Sequence, residues 1–229
     1  MISINIVTKC FIRRLFQACR YHRSTKEVNG TQHLTNIWTS NSTAFDLIQE
    51  NFVLHENFVT ENEEKNLLAE IDPIFKRRRY QFDHWDGAIQ GYKETEKEIW
   101  NEENSQVIKR LRELAFPSET APLRSIHVLD LSKTGHIKPH IDSVKFCGSI
   151  IAGISLQSTS VMRLVMEKNT SIVVDTLLKR RSLYIMRGVV RYEFTHEILS
   201  CEASYFKSQH IPRERRVSVI CRNEPMEKV

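Results

Sequence analysis

Residues 148–187 read GSIIAGISLQSTSVMRLVMEKNTSIVVDTLLKRRSLYIMR. The stretch divides into four short runs, 148–157, 160–167, 171–178 and 182–187, rich in β-branched and other apolar residues and parted by short polar breaks. Runs of this length and character are strands. The same grammar extends outward on both sides, with further runs at 123–131, 140–146, 191–197 and 215–222, and Gly135, Gly148 and Gly188 at the breaks. About eight strands at such close spacing suggest a sandwich, a barrel or a double-stranded jelly roll.

The chain ahead of the strands has a different period. Thr60 followed by Glu63 forms a capping box, and Leu67, Leu68, Ile71, Ile74 and Phe75 recur at helical spacing, which predicts a helix over about 61–77 that Asp72-Pro73 kinks or interrupts. Val107, Ile108, Leu111 and Leu114 predict a second helix over about 102–115, stopped by Pro117. Two helices before a run of strands give an α+β fold in which the helices back one sheet. Between them, residues 80–100 set Trp85, Tyr92 and Trp100 among charged residues. That segment is either a substrate-facing loop or hairpin, or aromatics packed on the sheet.

A length of 229 residues suits one domain with a sizeable core and some additional sequence. Five cysteines, an odd number without close pairing, argue against a disulfide scaffold or a zinc ribbon. No apolar run approaches the length of a membrane-spanning helix. The formal net charge is +5, but Lys9, Arg13, Arg14, Arg20, Arg23 and Lys26 fall within residues 1–26, which contain no acid, so the remainder carries −1. A near-neutral body lacks the charge of a dedicated phosphate-backbone binder. The Arg-rich, acid-free, amphipathic start reads as a mitochondrial presequence over 1–26, directing the protein to the matrix. The polar, Ser/Thr/Asn-rich stretch 27–49 reads as a linker ahead of a domain over 50–225.

His140-Ile141-Asp142 carries the chemistry. On an extended segment its two polar side chains share one face, so an imidazole and a carboxylate can take one metal from one side. A histidine from another strand completes a two-His-one-carboxylate facial triad, a ligand set suited to Fe(II) with positions left open. His196, within Tyr192-Glu193-Phe194-Thr195-His196-Glu197, is the leading third ligand, and His210 the runner-up. In the last strand Arg216, Ser218 and Arg222 point to one face. An inward arginine needs an anion, and a small dicarboxylate provides one.

Together His140-x-Asp142, His196 and the six-residue spacing from Arg216 to Arg222 resemble the AlkB-type Fe(II)/2-oxoglutarate dioxygenases over about residues 50–222. The resemblance is greatest to a mitochondrial branch of that family, through Lys133–His140, Arg181-Ser182-Leu183-Tyr184 and the segment around His196. It implies a jelly-roll core and Fe(II), 2-oxoglutarate and O₂ as cofactor and cosubstrates. It implies iron held by His140, Asp142 and His196. Arg216 would sit on the distal carboxylate of 2-oxoglutarate, Arg222 near its metal-chelating end, and Tyr184 would add a hydroxyl contact. Leu129-Asp130-Leu131 stands where nucleic-acid demethylases of the family have Asn-x-Tyr, and Ser218 stands where they have asparagine. The stretch that forms their nucleotide-recognition lid is short. These departures favour a mitochondrial protein, or another non-DNA molecule, as substrate over an RNA or DNA base. The resemblance also implies links to regulated necrosis after alkylation damage and to fatty-acid metabolism.

Overall fold

A computed structural model describes residues 35–84 and 87–225. The expected presequence, His22, His33 and Trp85 lie outside the described residues. In chain order the elements are β1 (Ile37–Thr39), α1 (Ser42–Gln49), β2 (Phe52–His55), α2 (Glu61–Phe75), β3 (Ile89–Lys97), α3 (Glu102–Ala115), β4 (Ile126–His140), β5 (Ile150–Leu156), β6 (Ser160–Met166), β7 (Val173–Leu178), β8 (Ser182–Arg187), α4 (Gly188–Glu193), β9 (Phe194–Ile198), β10 (Tyr205–Phe206), β11 (Gln209–His210) and β12 (Arg216–Arg222).

The strands join in the order β1-β7-β6-β9-β4-β12-β5-β8-β2, with β3 also pairing with β4, and each of these pairings is antiparallel. Strand β4 is the organiser. Its first half pairs with β12 and β3, and its end pairs with β9, so one long strand passes from one wall of the roll to the other. The sheet curls around an inner core that includes Leu129, Leu131, Ile151, Leu164, Tyr184, Phe194 and Ile220. The opposite faces of β12, β5 and β8 present Val217, Val219, Ala152, Ile154 and Ile185 to α2 and α3, which answer with Leu67, Ile71, Phe75, Val107 and Leu111. This is the expected jelly roll, with two helices backing one sheet.

Both helices begin on polar side chains, and the first of these is the capping box read from the sequence. Thr60 and Glu63 exchange the reciprocal hydrogen bonds of a capping box. Asn101 accepts from the Asn104 amide at the start of α3. Pro73 does not interrupt α2, because it falls in the last turn and the helix ends at Phe75. Glycine is required where β3 meets β4. Gly91 has φ +63° at a bulge in β3, and a Cβ there would come within 2.7 Å of Gly135 Cα.

Three expectations change. Residues 37–49, read as linker, form β1 on the edge beside β7 and α1, whose Ala44 and Ile48 are buried in the inner core. Asn41 caps α1, so the polar composition marks a helix start. The run 140–146 is not a strand: β4 ends at His140, and Asp142 lies in the irregular segment that follows. The run 191–197 is half helix, because Gly188 at φ +53° turns the chain into α4 before β9 begins at Phe194. Tyr92 and Trp100 pack into the two cores, while β3 itself forms one wall of a cleft.

Candidate active site

His140 and His196 are direct partners in the β4–β9 ladder. Opposed residues of an antiparallel pair share a face, and these two ring centroids lie 4.2 Å apart. Asp142 turns back from the end of β4 so that its Oδ1 lies 3.3 Å from His140 Nε2 and 3.6 Å from His196 Nε2. The three side chains offer ligand atoms within 4.8 Å of one another, a spacing that fits a single metal ion. His210 is exposed on β11, bonded to the Cys201 carbonyl, and does not join the group.

The ligand atoms are aimed by their other bonds. His140 Nδ1 is 2.9 Å from the Lys138 carbonyl and donates to it, which sets the ring so that Nε2, 3.3 Å from Asp142 Oδ1, is the nitrogen offered to a metal. Asp142 Oδ2 accepts from Arg222 Nε at 2.9 Å, which leaves Oδ1 toward the histidines. Burial works against the Asp142 charge, but the His140 hydrogen bond and the nearby Arg222 and imidazoles outweigh it and hold the carboxyl well below the usual range. Burial and the neighbouring His140 push His196 down to about 3. Ionised carboxylate and neutral imidazole are the forms that bind metals.

The segment after Asp142 is fastened by Arg191 of α4. This side chain is 2% exposed, and it donates through Nε to the Gly148 carbonyl at 3.0 Å and through Nη2 to the Cys147 carbonyl at 3.1 Å. Deeper in the roll, Arg216 is 1% exposed and donates through Nε to Ser155 Oγ at 3.0 Å. Its Nη2 and the nearby Ser218 Oγ are buried without a hydrogen-bond partner. Tyr184, also buried, lies over Gly153, where a Cβ would come within 2.5 Å of the phenol ring. An orphaned guanidinium nitrogen and an orphaned hydroxyl on the inner face of β12 make a cradle whose donors fit a carboxylate. The arginines therefore do different work along the strand: Arg222 reaches the Asp142 carboxylate, while Arg216 stays at the buried end.

A cleft of about 870 Å³ opens over His140 and Asp142, lined by residues that include Ala88, Ile89, Ile220 and the exposed Phe146. Sequence reasoning missed His127 and Glu94 in this wall. Arg222 Nη1 lies 3.2 Å from His127 Nδ1, and His127 Nε2 lies 3.0 Å from Glu94 Oε2. Histidine and glutamate 33 residues apart carry no local signal, and only the pairing of β3 with β4 joins them.

A jelly roll with two histidines and a carboxylate at its mouth and an anion cradle behind them defines a 2-oxoglutarate-dependent dioxygenase. The sequence is 47% identical over 186 residues to the mouse alpha-ketoglutarate-dependent dioxygenase alkB homolog 7, mitochondrial, a match covering 81% of this chain and 84% of the mouse protein. It is 48% identical to the bovine protein of the same name, with the same coverage. The chain belongs to the alkB homolog 7 family of alpha-ketoglutarate-dependent dioxygenases. No family model matches the sequence. Solved structures share the fold at low identity. OsALKBH1 superposes with a TM-score of 0.55 at 14% identity, covering 75% of this chain and 97% of that one. A Trichoplax adhaerens prolyl hydroxylase, solved with a hypoxia-inducible-factor peptide, gives 0.56 at 12% identity, covering 81% and 89%.

Proposed function

We propose that His140, Asp142 and His196 hold Fe(II), that Arg216, Tyr184 and Arg222 seat 2-oxoglutarate beside it, and that the enzyme hydroxylates a protein or other non-DNA substrate in the mitochondrial matrix. The observation that carries this reading is the convergence of three ligand atoms within 4.8 Å, with His140 and Asp142 lining an open cleft. When bound, Fe(II) with 2-oxoglutarate and O₂ supplies the oxidising chemistry. The chain supplies position. Asp142 offers one oxygen to the metal while Arg222 occupies the other. The Lys138 carbonyl fixes the His140 tautomer. Arg216 Nη2 and Ser218 Oγ gain the partner they lack when a carboxylate enters the cradle. Leu131 and Leu129, the ladder partners of Arg216 and Ser218, put apolar core beside those donors.

The lining of the cleft supports this substrate class. Glu94 and Glu96 line its wall, and carboxylates there oppose a phosphodiester backbone. Leu129-Asp130-Leu131 and the near-neutral body point the same way. Localisation to the mitochondrion accords with the names of both relatives, and the matrix assignment rests on residues 1–26. Among the described residues no helix is long and apolar enough to cross a membrane. The test is a substrate-trapping pulldown from mitochondria, using the full chain with Mn(II) and a 2-oxoglutarate analogue. Protein captured only when the triad is intact supports the reading, and enrichment of RNA over protein reverses it in favour of an RNA demethylase.

A further inference from the structure

The cleft wall contains a continuous line of hydrogen bonds that starts at the Asp142 carboxylate and ends at Glu94. Arg222 Nε meets Asp142 Oδ2 at 2.9 Å, Arg222 Nη1 meets His127 Nδ1 at 3.2 Å, and His127 Nε2 meets Glu94 Oε2 at 3.0 Å. The strands dictate this line. His127 on β4 stands between β3 and β12, directly opposite Glu96 on one side and Ile220 on the other. Glu94 and Arg222 are each two residues further along their strands, on the same face, within diagonal reach of long side chains.

The donors fix every proton in the line. A guanidinium has no acceptor, so His127 Nδ1 must be the unprotonated nitrogen that receives Arg222. Nε2 then carries the hydrogen and donates it to Glu94, whose carboxyl is held below its ordinary value chiefly by that bond. Beyond its ends the line continues: Asp142 Oδ1 faces His140 and His196, and Glu94 Oε1 lies 3.7 Å from His84 Nε2. An arginine held at Nε alone would keep the freedom of its far nitrogens, and the bond to His127 removes it.

We propose that His127, braced by Glu94, is a positioning residue: it locks the Arg222 guanidinium so that Asp142 presents a single fixed oxygen to the metal. The inference rests on the reading of His140, Asp142 and His196 as the metal centre. Outer partners of metal ligands typically contribute about 10–100-fold in metal affinity. His127→Leu, which restores an apolar inner face like that of Leu129, should therefore weaken Mn(II) binding by about 10–100-fold. Glu94→Leu should weaken it less, because the imidazole remains. His127→Gln should restore most of the affinity, since its amide can accept from Arg222 and donate to Glu94.

The experiment is a Mn(II) titration of the full chain followed by the free-ion electron paramagnetic resonance signal, with thermal unfolding of each metal-free protein alongside. The decisive comparison is a cycle with Arg222→Met. If His127 acts through Arg222, adding His127→Leu to Arg222→Met changes the Mn(II) dissociation constant by less than about twofold beyond Arg222→Met alone. A His127→Leu protein that loses thermal stability but keeps wild-type Mn(II) affinity in its folded fraction overturns the proposal, as does an independent loss on top of Arg222→Met. Should His127→Leu fail to fold, Glu94→Leu and His127→Gln decide it by the same titration. Asp142→Ala separates the two levels. Wild-type Mn(II) binding in that variant removes the metal centre itself, whereas loss there with none in His127→Leu removes only the positioning role.

Discussion

Replacing Arg216 by methionine should sever stability from cosubstrate binding in opposite directions. In the ligand-free protein the guanidinium is buried, is hydrogen-bonded to Ser155 and Tyr184, and leaves Nη2 without a partner. Burial without an anion pushes its pKa down, the signature of a cation held at a cost. Arg216→Met removes that cost with a side chain of similar reach, so the metal-free protein should unfold at the same temperature or higher. 2-Oxoglutarate, in contrast, loses its charge-assisted partner in a dry pocket. Breaking one side of a buried charge pair costs about 2–5 kcal/mol, which is roughly 30-fold to a few thousand-fold in affinity. Arg216→Lys should recover only part, because an ammonium cannot reproduce the planar fork. The assay is an anaerobic titration of Fe(II)-loaded protein with 2-oxoglutarate, followed by the metal-to-ligand charge-transfer band. An unchanged dissociation constant together with a lowered unfolding temperature would refute the cradle and make Arg216 a structural residue.

Gly153→Ala places a Cβ 2.5 Å from the Tyr184 ring, so it should destabilise the fold by about 1–3 kcal/mol by thermal unfolding and weaken 2-oxoglutarate binding by displacing the phenol. Glu63→Gln should lower stability at neutral pH by about 0.5–1 kcal/mol, because the amide can still close the capping box but loses the charged pair with Arg110 and the negative charge at the start of α2. The Glu63 carboxyl is held below its ordinary 4.5, first by Arg110, so its contribution is complete above that value and fades as pH falls through the depressed one; denaturant unfolding at pH 7 and in acid should show the difference shrinking. Deleting residues 1–26 should leave the protein in the cytosol by cell fractionation, and continued matrix residence of the truncated chain would contradict a presequence there.

The jelly roll was legible because its signals are local: four clean strand runs at 148–187, and helices opened by Thr60 and Asn101. The site was legible in its residue types more than in its backbone. His140-x-Asp142 suggested a shared strand face, yet Asp142 reaches the same point from the irregular segment after β4, and His196 arrives as the direct ladder partner of His140. Errors fell where local composition and long-range pairing disagree. Val189, Val190 and Tyr192 look like strand residues, but the left-handed Gly188 commits them to α4. Residues 37–49 look like a linker until β7 and the inner core give Trp38, Ala44 and Ile48 neighbours. Glu94 and His127 could not be found by periodicity, since nothing near either residue specifies the diagonal contact across β3 and β4.

Iron content tests the central claim most directly. Wild-type chain and Asp142→Ala are each loaded with Fe(II) without oxygen, desalted and measured by elemental analysis, with thermal unfolding as the check that both are folded. A single site made by His140, Asp142 and His196 predicts about one iron per wild-type chain and almost none in the variant, at little cost to the fold because the ligands sit at the mouth of the roll. Wild-type iron stoichiometry in folded Asp142→Ala would contradict the account.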